Sequence, residues 1–334
     1  MWRIICCAAL AAAALATPSV DATQIVQAPE TQQLRRGINI LAHDPIWKGS
    51  GKTRFQLKHF EEIRRGGFDF VRVNLFVFEH MDAHNRIDPQ WLQRLDWVVR
   101  SARKAGLSVI LDEHDSGACR KERATCGVKL AAVWRQLARR YSAEPSSVSF
   151  ELLNEPDGIF DARTWNAIVP ELLSVIRETN PTRRVIVALI GLDEARLPAH
   201  DRKITATFHY YDPFPFTHQG APWTKIKGLR GTTWGSAADR QRIRDLFDKI
   251  SDWGRKNERP ILLGEFGVYE QSGAPLQMRV DYTAMVACEA ERRGFAWAYW
   301  QFAGNFIAWD MVRDSWVAPI KDALIPPRAR PTAC

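Results

Sequence analysis

The 334-residue chain has no apolar run approaching the roughly 20 residues of a membrane-spanning helix, apart from one stretch at its N-terminus. No G-x-G-x-x-G follows the first candidate strand, and no glycine-rich loop ends in Lys-Ser or Lys-Thr. That removes the two common nucleotide-binding readings. The chain lacks a lysine/arginine block: 46 basic residues are scattered among 38 acidic ones. Its net charge of +8 therefore reads as a solvated surface, and no nucleic-acid partner is expected. Repeats, low-complexity segments and linker-like breaks are also missing. With 25% charged and 10% aromatic residues, the chain is not of a disordered type.

The N-terminal stretch has the pattern of an export signal. Trp2-Arg3 gives a positive start, Ile4 to Ala16 is apolar, and small residues offer cleavage after Ala16 or after Ala22. The expectation is a secretory signal peptide over residues 1–22, a single catalytic domain over 23–334, and a secreted or periplasmic protein. Cys6 and Cys7 lie inside the apolar run rather than just after it, which argues against a lipid anchor, and no stable membrane anchor is expected. Export changes how the remaining cysteines read. Cys119 and Cys126 bracket the charged segment CRKERATC and are a disulfide candidate in an oxidising compartment, with two free thiols as the competing reading. Cys288 falls on the apolar side of an expected helix with Met278, Tyr282 and Met285 and reads as core; the terminal Cys334 carries no signal.

Short apolar or β-branched runs recur through the chain. They span 36–40, 70–73, 108–111, 148–152, 185–189, 204–208, 261–263 and 295–299. Between them, segments 91–105, 128–141, 162–179 and 237–257 place apolar residues on one helical face. Between the fifth and sixth runs Pro198 interrupts any helix. Such unbroken alternation favours an α/β fold of one closed (β/α)8 TIM barrel over an open sheet.

In that barrel, chemistry sits at the C-terminal strand ends. Polar residues gather there: Arg72 and Asn74, then Asp112-Glu113-His114-Asp115, Asn154-Glu155, His209-Tyr210-Tyr211, Glu265 and Trp300-Gln301. Glu155 and Glu265 follow strands on opposing sides of the barrel mouth. One such glutamate alone reads as a solvated loop residue. Two facing each other suit glycoside hydrolysis, in which one carboxyl protonates the departing oxygen and the other attacks the sugar carbon. Consecutive acidic residues beside His114 could mimic a metal site, but neighbours on a strand end point opposite ways, so no metal and no cofactor are expected.

The motifs FELLNEP, LLGEFG and HYYDPFPFTHQGAPW resemble glycoside hydrolase family 5, the cellulase family of clan A, and bacterial endo-β-1,4-glucanases within it. The resemblance runs from RGINI to AYWQF and implies roles position by position. Glu155 would be the acid/base and Glu265 the nucleophile of a retaining mechanism. Asn154 would bind the sugar 2-hydroxyl, Arg72 would hold the nucleophile ionised, and Tyr211 would donate to it. His114 and His209 would line the reacting subsite, Trp300 would stack beneath that sugar, and Trp223 would offer a platform for a further one. The charge on Glu265 would raise the Glu155 carboxyl toward neutrality. Trp47, Trp234 and Trp309 are weaker platform candidates. In one departure, Asp115 stands where relatives often carry a second histidine after His114, and the loop with Cys119 and Cys126 would reshape the cleft. The expected partner is a polysaccharide or oligosaccharide, cut by a monomer. Open alternatives are the same chemistry on β-mannan, mixed-linkage glucan or a bacterial exopolysaccharide, and a carbohydrate-binding barrel that does not cut.

Overall fold

The structure, a computed structural model, describes residues 34–49, 53–327 and 334. The expected export signal lies outside the described residues. Eight parallel strands close into a barrel in chain order: β1 (Arg36–Ile40), β2 (Phe70–Leu75), β3 (Ser108–Glu113), β4 (Val148–Glu151), β5 (Val185–Ala188), β6 (Ile204–Tyr210), β7 (Ile261–Phe266) and β8 (Ala296–Tyr299). The outer helices are α1 (Leu57–Arg65), α2 (Pro89–Lys104), α3 (Ser116–Lys121), α4 (Arg123–Arg140), α5 (Ala162–Arg177), α6 (Phe214–Thr217), α7 (Ala237–Lys256), α8 (Leu276–Arg292) and α9 (Ala318–Leu324). A small hairpin pairs β9 (Trp309–Asp310) with β10 (Ser315–Trp316). Among the described residues no helix is long and apolar enough to cross a membrane.

The barrel is filled from the bottom up by the two-residue period of its strands. Phe70, Ile110, Ile186, Leu262 and Ala298, with Leu34, form an apolar plug in the lumen. Gly37 leaves room for it: a Cβ there would sit 2.2 Å from the Phe70 ring. Two residues further along, the same strand faces carry Arg72 on β2 and Asp112 on β3, both with no exposed surface. The lumen thus turns from apolar to charged within one layer. The opposite strand faces carry Val71, Val73, Val109 and Leu111, which pack against the helices in the main core.

Between β5 and β6 the chain runs over the surface without a helix. Two disulfides tie the periphery. Cys119 and Cys126 join the start of α4 to α3, as the spacing suggested. Cys288 is buried, as expected, but it is bonded to Cys334 rather than a free thiol, which ties Cys334 to α8. That pairing corrects the reading of Cys334 as carrying no signal: the partners are 46 residues apart, with β8, the small hairpin and α9 between them.

Candidate active site

Arg72 is the hub of the charged layer. Its Nε and Nη2 donate to the two oxygens of Glu151 at 2.7 and 2.9 Å. Nη1 donates to Glu265 Oε1 at 2.7 Å and to Asn39 Oδ1 at 2.9 Å. Nη2 also donates to Asn154 Oδ1 at 3.0 Å and lies 3.1 Å from Asp112 Oδ1. One guanidinium is thereby shared among three buried carboxyl groups, which is the fork geometry arginine provides and lysine does not. Burial acts to lower the Arg72 guanidinium, but Asp112 and Glu151 outweigh it and push it well above its usual range. Burial raises the Glu151 carboxyl even with Arg72 against it.

A register shift sets the next contacts. Phe208 pairs with Leu263, but His209 pairs with Glu265, so Gly264 is the extra residue of a bulge. A Cβ on Gly264 would meet Thr207 Oγ1 at 2.9 Å and His209 Nε2 at 3.0 Å. The bulge brings His209 level with Glu265, and the glycine leaves space for its ring. Tyr211 follows β6 and donates from its hydroxyl to Glu265 Oε2 at 2.9 Å. Glu265 thus receives Arg72 on one oxygen and Tyr211 on the other.

Glu155 lies just past β4 with φ +41°, a left-handed conformation that is unusual for a non-glycine residue. The preceding Asn154 is held by its N–H bond to the Glu113 carbonyl at 2.8 Å. The turn leaves the Glu155 side chain 46% exposed, open to the cleft, whereas that of Glu265 is 5% exposed. His209 Nδ1 bridges the pair, 3.0 Å from Glu155 Oε1 and 3.6 Å from Glu265 Oε2. One ligand atom each from Glu155, His209 and Glu265 lie within 4.8 Å of one another. This trio has the makeup of a cation site, but His209 Nδ1 is already engaged by both carboxylates.

The bridge reverses one expectation. Burial acts to raise the Glu155 carboxyl, but the hydrogen bond and charge of His209 outweigh it and hold it down at about 2. Burial acts to lower His209, and the charge of Glu265 with the bond to Glu155 pushes it up to about 9. The two shifts run in the direction that favours the proton on His209 over Glu155.

Around this centre, His114 Nδ1 pairs with Asp112 Oδ2 at 2.6 Å, and its ring stacks on Trp300 with centroids 5.5 Å apart and planes 8° from parallel. Trp223 is 52% exposed, edge-on to Tyr269 and 6.5 Å from the Phe306 ring. Trp47, Trp234 and Trp309 are 3–5% exposed and belong to the core, so they are not open platforms. The structure therefore gathers Arg72, His114, Asn154, Glu155, His209, Tyr211, Glu265 and Trp300 around one centre, with Trp223 at the rim. Sequence reasoning missed Asn39, Glu151 and His218. Asking what neutralises an arginine inside a barrel points to Glu151, four residues before Glu155. His218 packs edge-on to Tyr211, and burial pushes it down to about 4.

Comparison with known proteins fits this geometry. The family model Cellulase (glycosyl hydrolase family 5) matches residues 36–306. Endoglucanase H of Acetivibrio thermocellus is 28% identical over 266 residues, which is 76% of this chain and 28% of that protein. The chain spans 28%, 33% and 59% of the length of three curated relatives it matches. Among solved structures, the Thermotoga maritima endoglucanase in complex with cellobiose superposes with a TM-score of 0.82 at 32% identity, covering 87% of this chain and 97% of that one. Cellulose synthase subunit Z of Clostridioides difficile superposes with a TM-score of 0.81 at 32% identity, covering 88% and 100%. With a family model matching from β1 to beyond β8 and whole-barrel superposition on endoglucanases, the chain belongs to glycosyl hydrolase family 5, the cellulase family.

Proposed function

We propose that this protein is a retaining, endo-acting β-1,4-glycosidase that cuts within a β-linked glucan. The observation that carries the reading is the opposed carboxylate pair, with oxygens of Glu155 and Glu265 within 4.8 Å. Retaining enzymes hold their carboxyl groups about 5–5.5 Å apart; inverting ones need room for a water, about 6.5–9.5 Å.

Glu265 is the nucleophile. Arg72 and Tyr211 fix both its oxygens and aim it at the anomeric carbon. Glu155, on the open side, is the acid. The proton it delivers is held by the Glu155–His209 pair and passes from Nδ1 to Oε1 as the sugar displaces water from the carboxylate. As Glu265 bonds to the sugar, the glycosidic C–O bond breaks and the departing oxygen takes that proton. Ester formation removes the negative charge of Glu265, the largest influence raising His209. The pair then holds a proton less tightly, which suits Glu155 to act as base toward the incoming water. Asn154 binds the 2-hydroxyl, Trp300 and His114 flank the reacting ring, and Trp223 carries a sugar further along the cleft.

The Thermotoga maritima relative has been solved with cellobiose and with mannotriose, which supports testing glucans and mannans together. Two disulfides support an oxidising location, secreted or periplasmic. The test is reducing-end release from barley β-glucan, carboxymethylcellulose and mannan, with Glu265→Ala alongside and the anomer of the first product read by NMR. The expected result is cleavage with retained configuration by the wild type and loss of at least about 10³-fold in the variant. An inverted product, or equal rates in the two proteins, would overturn the assignment.

A further inference from the structure

The basic residues are scattered along the sequence, but the fold gathers them. All eight barrel strands run the same way, so the segments that lead into them meet at the end of the barrel opposite the cleft. Those segments are 35–36, 63–69, 100–107, 139–147, 177–184, 199–203, 255–260 and 291–295. Of the chain's 46 basic and 38 acidic residues, 19 and 6 fall in them, which leaves 27 and 32 for the rest of the chain. The positive excess therefore belongs to this lower face alone. Twelve of its basic residues are exposed, against only Glu178 and Glu258 among its acidic ones.

Backbone bonds tie the face into a ring. The Arg36 carbonyl accepts from the Asp69 N–H at 2.7 Å, that of Lys203 from Val185 at 3.0 Å, and that of Arg35 from Trp297 at 2.9 Å. Most of the acidic residues are already engaged within it. Glu291 pairs with Arg36 at 2.7 Å, Asp201 with Arg177 at 2.8 Å, and Asp69 with Arg64 at 3.5 Å, while Glu144 and Glu258 pair with Arg103 and Arg202. Among the described residues, Arg35, Lys104, Arg139, Lys203 and Lys256 are exposed and enter no ion pair. The helix macrodipole favours cations in a last turn and accounts for Lys104, Arg139 and Lys256. It does not account for Arg35, Arg184, Arg202 or Lys203, which precede strands.

We propose that this lower face docks the enzyme reversibly on an anionic phospholipid surface, with the cleft turned away from the bilayer. Two observations favour a bilayer over a soluble polyanion. The free cations are spread around the whole barrel, from before β1 to the end of α7, rather than along one groove that a strand could follow. Leu34, the first described residue, packs in the plug at this same end, so the sequence before it, with its apolar run Ile4–Ala16, joins the barrel here. An export signal there presents this face, not the cleft, to the bilayer. Among the described residues no large apolar side chain is exposed in these segments, so the docking is electrostatic and sensitive to salt.

The test is co-sedimentation of the protein with vesicles of phosphatidylcholine, alone or with about a third phosphatidylglycerol, at about 20 mM and about 500 mM salt. The wild type is expected to bind the anionic vesicles at low salt and to leave them at high salt, and not to bind phosphatidylcholine. A lower-face variant combines Lys104→Gln, Arg139→Gln, Lys203→Gln and Lys256→Gln. A control combines Arg120→Gln, Arg135→Gln, Arg163→Gln and Lys249→Gln, four exposed residues outside the lower segments that remove the same net charge. Each basic residue near an anionic surface is worth roughly fivefold in binding at low salt, so the lower-face variant should bind at least about 30-fold more weakly. The control should stay within about threefold of the wild type. Thermal unfolding checks that both variants fold; if the lower-face variant does not, the wild type's lipid and salt dependence, with competition by a short DNA duplex, decides. Absence of binding to anionic vesicles, equal losses in the two variants, or tighter binding to the duplex than to the vesicles would overturn the proposal. Vesicle-bound wild type should also cut soluble β-glucan with kcat/KM within about twofold of the free enzyme, since the cleft opens at the other end. Activity blocked by the vesicles would refute that orientation, whereas no activity with or without vesicles would count against the glycosidase reading and leave the docking result to stand by itself.

Discussion

Replacing His209 by asparagine tests where the catalytic proton is kept. In the wild type the Glu155–His209 pair holds one proton between about pH 2 and about pH 9, the values to which the two partners are pushed. Those limits belong to the pair, since the groups titrate together. The alkaline limb of kcat/KM should therefore fall near pH 9. His209→Asn leaves Glu155 as the sole holder of the proton. Glu155 then loses both the hydrogen bond and the charge that hold it down, while burial, which acts to raise it, remains. Its carboxyl moves up from about 2, and the alkaline limb of activity moves down toward the carboxylate range. Above the new limb each pH unit costs about tenfold in protonated acid, so at pH 8 the variant should lose on the order of 10²-fold relative to its own acid optimum. The assay is kcat/KM on a soluble β-glucan from pH 4 to 10. A variant whose alkaline limb stays near 9 would refute the reasoning.

The same pair makes a stability statement with a definite sign. His209 is raised above its ordinary 6.5, so its contribution is complete below pH 6.5 and is lost as pH rises through about 9. Glu155 is depressed below its ordinary 4.5, so its contribution is complete above that value and is lost as pH falls through about 2. Denaturant unfolding of the wild type should weaken between pH 6.5 and 9 through this pair, and His209→Asn should lack that component.

Three further outcomes follow from the packing. Arg72→Met strands Asp112, Glu151 and Glu265 without their shared cation and should cost about 3–5 kcal/mol in urea unfolding; a change under about 1 kcal/mol would mean the layer is not held by Arg72. Trp223→Ala removes a side chain 52% exposed at the rim, so KM for polymer should rise several-fold while stability stays within about 0.5 kcal/mol, and an unchanged KM would remove Trp223 from the substrate path. Cys288→Ser opens a loop of 46 residues and should cost at most about 4 kcal/mol by loop entropy, read as a fall in Tm of several degrees; an unchanged Tm would show that the bridge does not constrain the unfolded chain.

The barrel was legible because each strand carries a β-branched or apolar run that needs no partner to be seen. The expected strand ends were too early where the chain turns polar. β3 continues from Leu111 through Asp112 and Glu113, β6 through His209 and Tyr210, and β7 through Glu265 and Phe266. Their polar residues remain in the ladder because the lumen above the plug is charged. α1 was missed although His59, Phe60 and Ile63 are buried, because Leu57–Arg65 is only nine residues long and is preceded by Gln56 rather than a Ser, Thr, Asp or Asn cap. Its start is closed by the Gln56 N–H bonding to His59 Nδ1 at 2.9 Å, a local contact with no strong sequence signature. The two glutamates stood out because their motifs end strands. Glu151 and Asn39 did not, since each looks like an ordinary strand residue until the fold brings Arg72 between them.

That hidden set explains how a polar centre persists inside a barrel core. A lone guanidinium in the lumen would be expelled by its desolvation cost, and a lone carboxylate likewise. Asp112, Glu151 and Glu265 share Arg72, while Asn39, Asn74 and Tyr211 supply donors and acceptors around them. Removing one member exposes the desolvation cost of the others, so the layer stands or falls together. Of the two facing glutamates, Glu155 is the one outside it, on a strained turn and half open to solvent. Glu265 is locked to the barrel, and Glu155, the acid of the proposed mechanism, is linked to it through the His209 imidazole. A site built this way should lose activity before it loses its fold when His209 is replaced, and lose both together when Arg72 is.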